Sequence, residues 1–421
     1  MPEVEPGGDA SSARDAEAAY GRSTPLRLFG LECSLETASL DALERLARAM
    51  TRESLQGWFT RLEGTEEVAM LITCHRVELA LLVGSPEELQ RWREVLPGPR
   101  VSWRLREGRA VASHFFRVAA GRESLARGEG EVRHQVRAAG RQVETRHPRP
   151  VLRELLTRAA DAAEEVCPSV PASRSIAAVA AAELLTLVDR PQPRVLVIGS
   201  GTVGRQVTER LASMARVTVM FHRNPPEESF LRATGARAER LDRLTEELAT
   251  ADAAVTAAKF GDRGLRASDL PRDHRLLLID LGMPRNIDPD VRDLSNVRLV
   301  DLENLYSTAN RVSPTDVQSL RLEELAERCS DQIESLLLEP WVGALRRAAE
   351  ELRRAELERA RSFLGNLDPD QELAVERLTQ RLVAHLLLPP TQRIRSLPAG
   401  PEGDLQRRLA IELFRPLPRG P

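Results

Sequence analysis

The chain has 421 residues, more than one ordinary domain holds, and 42% of them are hydrophobic, enough for sizeable cores. Sixty basic against 63 acidic residues give a formal charge of -3, which excludes a general polycation but leaves a local basic surface open. Four cysteines (Cys33, Cys74, Cys167, Cys329), none in a Cys-x-x-Cys pair, predict neither a disulfide framework nor a metal site, and favour a reducing cytoplasm.

Residues 1–25 lack apolar periodicity and read as a disordered extension. No basic-then-apolar leader opens the chain. Its most apolar stretch, Ile176 to Val188, contains Glu183 and is too short to span a bilayer, so no membrane partner is expected. The first domain is expected over 26–172. An apolar run at Leu26–Leu31 precedes one helix over Ser39–Leu62, strands at Val68–Thr73 and Leu79–Val83, a helix over Pro86–Leu96 and a strand at Val101–Leu105. That order, β-α-β-β-α-β, is ferredoxin-like. Residues 108–165 show helical periods only.

A second domain is expected over 173–312. Arg194–Ile198, Val217–Phe221, Ala253–Ala257, Leu276–Leu281 and Arg298–Leu302 recur as apolar strands at α/β spacing, which predicts a parallel sheet covered by helices. From 313 to 421 the periods are helical, with a break or kink expected at Pro340. The apolar stripe of Leu345, Ala349, Leu352 and Ala355 needs cover, and a second copy of the tail is the natural source. The fold class is therefore multidomain α/β: a ferredoxin-like α+β domain with added helices, a Rossmann domain and a helical tail.

Gly199-Ser200-Gly201-Thr202-Val203-Gly204 follows a strand and opens a helix, where glycines let the backbone approach a pyrophosphate at the helix N-terminus. A Rossmann domain without ligand has the same pattern, so the hexapeptide alone is weak. After the second strand stands Arg223 rather than the acidic residue that holds a ribose diol. A guanidinium there favours NADPH, and a solvated loop arginine is the plainer alternative.

Cys74 ends an apolar strand beside His75 and Arg76, whose side chains would favour the nucleophilic thiolate; an inert buried thiol is the plainer alternative. His114 shares a helix face with Val111, Phe115 and Val118, where a core histidine is more common than a catalyst.

Thr73-Cys74-His75-Arg76-Val77-Glu78 resembles the Thr-Cys-Asn-Arg-Thr-Glu signature of the glutamyl-tRNA reductases. His114-Phe115-Phe116-Arg117-Val118-Ala119-Ala120-Gly121 is similar to the family's His-Leu-Phe-Arg-Val-Ala-Ala-Gly. Ser124 to Glu131 followed by Gln135 resembles its Ser-x-x-x-Gly-Glu-x-Gln-x-x-x-Gln run, and Asp280 to Pro289 its Asp-x-x-x-Pro-Arg-Asp-Ile-Asp-Pro. The tail segments from Pro340 to Glu350 and from Leu382 to Arg393 resemble the family's dimerisation region. His75, Val77 and Glu131 depart from the pattern, standing where the family has asparagine, threonine and glutamine.

The resemblance implies that Cys74 attacks glutamyl-tRNA to form a thioester, which NADPH reduces to glutamate-1-semialdehyde, the first step of the five-carbon route to tetrapyrroles. It implies catalytic Cys74 and His114, and substrate contacts from Thr73, His75, Arg76, Ser124, Glu129, Gly130, Glu131 and Gln135, with Arg76 helping to hold the glutamyl carboxylate. Gly199, Ser200, Gly201, Thr202, Val203, Gly204 and Arg223 would bind the cofactor. The expected partners are glutamyl-tRNA, a second copy bound through the C-terminal helices, and glutamate-1-semialdehyde aminomutase. Arg133, Arg137, Arg141 and Arg146 are candidates for a local tRNA-phosphate surface, and equally for a solvated helix face. The rival readings are an oxidoreductase of shikimate dehydrogenase type, for which the lone lysine, Lys259, lies in the wrong domain, and a paralogue without reductase activity that binds tRNA or a pathway partner.

Overall fold

A computed structural model of the protein describes residues 26–98, 102–124, 130–167, 175–258, 264–309, 317–365, 367–397 and 401–414. The expectations of an extension over 1–25, of a substrate contact from Glu129 and of a role for Lys259 lie outside the described residues. The chain divides into two compact units, one over Leu28–Ser330 and one holding the chain from Asp331 on.

The first sheet contains β1 (Arg27–Ser34), β2 (Thr65–Thr73), β3 (Arg76–Val83), β4 (Arg104–Glu107) and β5 (Glu144–Thr145), in the order β4-β1-β3-β2-β5. Its first four strands take the order of a ferredoxin-like split unit, and three helices connect them: α1 (Leu40–Ala49), α2 (Arg52–Arg61) and α3 (Pro86–Val95). The single helix expected over Ser39–Leu62 is thus two. Thr51 turns extended, and its hydroxyl accepts from the Ser54 amide at 3.1 Å, so a new helix starts with its first amides capped. Leu43, Leu46, Met50 and Leu55 still bury into one core, with Trp92 and Leu79.

The fourth strand lies at Arg104–Glu107, later than the Val101–Leu105 expected, because register with β1 places Leu31 opposite Leu105 and Phe29 opposite Glu107. Helices α4 (Arg109–Ala119), α5 (Gly130–Arg141) and α6 (Val151–Val166) follow. Between the last two, β5 adds a short polar edge strand to a segment expected to be helical throughout.

The second sheet is parallel throughout: β6 (Arg194–Ile198), β7 (Arg216–Phe221), β8 (Arg237–Arg240), β9 (Ala253–Thr256), β10 (Leu276–Asp280) and β11 (Val297–Val300) run in the order β11-β10-β9-β6-β7-β8. The winding direction reverses between β6 and β9, which opens a crevice at their carboxyl ends, the place where open α/β sheets take ligands. α7 (Ile176–Leu187) and α8 (Thr202–Leu211) bury Ala177, Leu184, Val207 and Leu211 against the strands. The last strand stops at Val300, and Leu302, expected within it, opens α11 (Leu302–Ala309) after the short α9 (Glu228–Thr234) and α10 (Leu244–Leu248). Asp301 ends the strand by accepting from the amides of Glu303 and Asn304, both at 3.1 Å.

α12 (Val317–Leu364) begins in the first unit and continues into the second, followed by α13 (Pro369–Ser396) and α14 (Pro401–Glu412). It runs through Pro340 without the expected break. Trp341, Val342 and Leu345, directly after the proline, are buried with Leu387, Ile394 and Ile411, and this packing outweighs one missing backbone hydrogen bond. Among the described residues no helix is long and apolar enough to cross a membrane.

Candidate active site

Strands β2 and β3 form a hairpin whose register closes with Thr73 opposite Arg76, leaving Cys74 and His75 as the two turn residues. A buried Thr73 hydroxyl accepts from the His75 amide at 3.4 Å, and the His75 carbonyl accepts from the Leu35 amide at 3.1 Å. The turn is thereby anchored to the end of β1. Cys74 is half-buried, and its Sγ lies 3.3 Å from His75 Nδ1.

Arg76 is only 3% exposed and points inward. Its Nη1 donates to Glu78 Oε1 at 2.8 Å, its Nε donates to His75 Nε2 at 3.1 Å, and its Nη2 donates to the Glu123 carbonyl. The expected bidentate fork to a substrate carboxylate is therefore already taken by protein acceptors. Glu78 Oε2 meets His114 Nε2 at 2.9 Å. Burial pushes the Glu78 carboxyl up, but the neighbouring His114 and Arg76 outweigh it and hold the group at about 2. Burial, then the Arg76 charge, pushes His75 down to about 3, against the opposing pull of Glu123 and Glu78. His75 is therefore neutral at physiological pH. The Glu123 carboxylate accepts from Arg117 Nε at 2.8 Å, and Arg117 Nη1 donates onward to Glu323 of α12 at 2.8 Å.

His114 is buried on α4, against the edge of Phe115, and its Nδ1 has no hydrogen-bond partner among the described residues. Ser124 is buried, and its amide donates to the Gly121 carbonyl at 3.3 Å. Gly130 opens α5 half-buried, while Glu131 is exposed. Gln135 carries a buried Oε1 without a partner among the described residues. Of the four arginines offered as a phosphate surface, two are engaged. Arg137 bridges Asp161 and Glu164 at 2.6 and 2.9 Å, and Arg146 donates to the Leu62 and Thr65 carbonyls while lying over the Phe59 ring. The expected basic surface therefore shrinks to Arg133 and Arg141.

In the second sheet, Gly199 leaves β6 with φ +123°, and a side chain there would press on Ala258 at 2.7 Å. A Cβ on Gly204 would meet the Gly199 carbonyl at 1.9 Å, so the strand-to-helix turn needs glycine at that point. Gly201, by contrast, faces open space, and it caps α8 without a side-chain hydrogen bond. The amides at Thr202 and Val203 thus begin a helix beside an open cradle, which fits a pyrophosphate. Ser200 Oγ donates to the Asn224 carbonyl at 3.2 Å, tying the cradle to the loop on which Arg223 is exposed. The residues present fit a dinucleotide, and Arg223 lies exposed on the adjoining loop.

The hairpin turn reaches the second sheet. Cys74, Leu35, Met283 and Tyr306 each pack against the core of the Rossmann sheet. The Tyr306 ring stacks on His75 with centroids 6.4 Å apart, and its hydroxyl donates to Glu36 Oε1 at 2.9 Å. Asp280, at the end of β10, shapes the loop that carries Met283. Its carboxylate accepts from Thr256 Oγ1 at 2.6 Å and from the amides of Gly282, Asn286 and Ile287 at 2.7 to 2.9 Å. Arg285 of the same loop donates from Nε to Glu44 of α1 at 2.9 Å and from Nη2 to Asp41.

The sequence assigns no role to Glu78, Glu123, Tyr306 or Met283, although Glu78 and Met283 lie within the family-like segments Thr73–Glu78 and Asp280–Pro289. Glu78 has a readable signal, a second charge two positions after Arg76 in an otherwise apolar strand. Glu123 acts partly through its carbonyl, which no side-chain pattern encodes.

Three family patterns match along the chain: "Glutamyl-tRNAGlu reductase, N-terminal domain" over residues 31–169, "Shikimate / quinate 5-dehydrogenase" over 181–308, and "Glutamyl-tRNAGlu reductase, dimerisation domain" over 321–416. Glutamyl-tRNA reductase 2 of Nocardioides sp. is 33% identical over 94% of this chain and 91% of its own. Glutamyl-tRNA reductase of Geobacter sulfurreducens is 28% identical over 88% and 92%. The solved glutamyl-tRNA reductase of Methanopyrus kandleri aligns over 92% of this chain and 98% of its own, at 24% identity and a TM-score of 0.47. The dehydrogenase-type pattern covers the nucleotide-binding part alone, whereas the Nocardioides relative matches from the cysteine hairpin through the helical tail, and on that span the chain belongs to the glutamyl-tRNA reductase family.

Proposed function

We propose that this chain reduces glutamyl-tRNA to glutamate-1-semialdehyde with NADPH, through a thioester on Cys74, as the first step of the five-carbon route to tetrapyrroles. The observation that carries the proposal is that Cys74 packs against the Rossmann core while Tyr306 stacks on its neighbour His75, so a nucleophile-type residue lies beside the nucleotide-binding half.

The Cys74 thiolate attacks the ester carbonyl carbon of glutamyl-tRNA. The sulfur–carbon bond forms, the bond to the ribose oxygen breaks, and tRNA leaves with a proton. Division into two steps helps because a thioester accepts hydride far more readily than a carboxylate does. NADPH, when bound, would supply the hydride; the sulfur–carbon bond then breaks, and Cys74 returns to the thiolate as the aldehyde leaves. Gly199, Ser200, Gly201, Thr202, Val203 and Gly204 would hold the pyrophosphate, and Arg223 would select the 2′-phosphate by a charge-assisted contact.

Arg76 is assigned as a positioning residue, because its donors are used by Glu78, His75 and Glu123. The buried His114 Nδ1, 4.0 Å from the Glu123 carboxylate, and Gln135 Oε1 make no hydrogen bond among the described residues and are assigned to the substrate, with Thr73, Ser124, Gly130 and Glu131 as further contacts. The helices from Asp331 on are assigned to a homodimer. Leu378, Leu382 and Leu386, spaced i,i+4, are exposed along α13, an apolar strip that a second copy would cover.

Substitution of Cys74 by serine tests the proposal: it should abolish glutamyl-tRNA-dependent NADPH oxidation without lowering the melting temperature. Turnover retained by that variant would exclude the thioester route.

A further inference from the structure

We infer that His75 is a fixed, neutral hydrogen-bond donor to the Cys74 sulfur, locked by the Arg76 guanidinium into the tautomer that carries its proton on Nδ1. His75 Nε2 faces Arg76 Nε at 3.1 Å and Arg76 Nη2 at 3.0 Å, and the Glu123 carbonyl at 3.1 Å. A guanidinium can only donate. A proton on Nε2 would set two N–H groups head to head in a buried site, so Nε2 accepts. Arg76 Nη2 lies against both Nε2 and the Glu123 carbonyl and serves both acceptors. The proton must then sit on Nδ1, 3.3 Å from Cys74 Sγ.

The charged and titratable groups around the ring support this state. Arg76 and Glu78 face it from β3, and Glu123 from the turn after α4, while Tyr306 of α11 stacks on it with Glu36 behind. An adjacent, permanently charged guanidinium opposes a second positive charge on the ring. His75 therefore does not collect the thiol proton, which leaves to solvent before attack. The ring instead holds the anionic sulfur by a hydrogen bond and, stacked on Tyr306, keeps the turn in place.

The inference rests on the assignment of Cys74 as nucleophile, but its test needs neither tRNA nor cofactor, so the two fail separately. The full-length protein is alkylated with iodoacetamide from pH 4 to 10, and modification of the peptide bearing Cys74 is followed by mass spectrometry. The native protein should show one rise with pH. In His75→Ala the midpoint should move up by about one pH unit, since a hydrogen bond to a charged group is lost. His75→Asn, whose amide can also donate, should recover at least half of that shift. Coincident profiles for the native protein and His75→Ala would overturn the inference, as would His75→Asn moving as far as His75→Ala. Should the alanine variant not fold, the native profile still decides: a second step between pH 5 and 7, absent in His75→Asn, would identify His75 as a proton acceptor and overturn it.

Discussion

Arg76 and Glu78, two positions apart on β3, form an ion pair at 2.8 Å, and both are almost fully buried. Neither could be buried alone, since removing one partner of such a pair leaves an uncompensated charge. Glu78→Gln is expected to lower unfolding stability by about 3 kcal/mol, measured by urea denaturation at pH 7. The pH dependence has a definite sign. Glu78 is held at about 2 in the folded protein against an ordinary 4.5, so its contribution is complete above about pH 4.5 and is lost as pH falls toward 2. The stability difference between native protein and Glu78→Gln should shrink over that window.

The two glycines of the nucleotide turn differ in what they protect. Gly204→Ala drives a methyl group into the Gly199 carbonyl and should cost about 1–3 kcal/mol of stability. Gly201 has ordinary extended backbone, φ -76° and ψ -174°, and open space beside it. Gly201→Ala should leave stability within about 0.5 kcal/mol while weakening NADPH binding, because the methyl group enters the cradle. Thermal denaturation and fluorescence titration separate the two effects. Equal loss of stability in both variants would contradict this division.

Arg223 is exposed at the end of the second Rossmann strand, with no acidic residue in its place. Arg223→Ala should raise the Kd for NADPH by tenfold or more, about 1.4 kcal/mol, and leave that for NADH within about twofold. Parallel titrations with the two cofactors read the ratio directly. Equal losses would show that the guanidinium does not meet the 2′-phosphate.

Much of the fold was legible because apolar strands announce themselves. The runs at Arg194–Ile198, Val217–Phe221 and Leu276–Leu281 become β6, β7 and β10, and the glycine turn falls at the switch point of the sheet. The strands that escaped, Glu144–Thr145 and Arg237–Arg240, are both sheet edges, where polar residues protect an open strand and erase the apolar signal. The junction at Met50 and Thr51 was hidden because the leucine period continues across it into the same core. In the site, local sequence brought Cys74, His75 and Arg76 together but could not say which way Arg76 points. Its direction follows from Glu123, 47 residues away and contributing a backbone carbonyl.

Arg285 joins the loop after β10 to the helix after β1, since its guanidinium reaches both Glu44 and Asp41. Because Met283, two residues earlier, and Cys74 pack against the same Rossmann core, this fork sets how the nucleotide half meets the thiol turn. Lysine carries the same charge as a single point and cannot span two carboxylates with a planar fork. Arg285→Lys should therefore lower kcat by at least tenfold while changing the Kd for NADPH less than twofold, since the cradle at Gly199–Gly204 lies on other loops. Stability should fall by only about 1–2 kcal/mol, as Glu44 keeps one partner. Steady-state kinetics with glutamyl-tRNA, set beside cofactor titration, distinguishes this from general unfolding. A parallel loss of NADPH affinity would mean that the fork supports the nucleotide site rather than the meeting of the two halves.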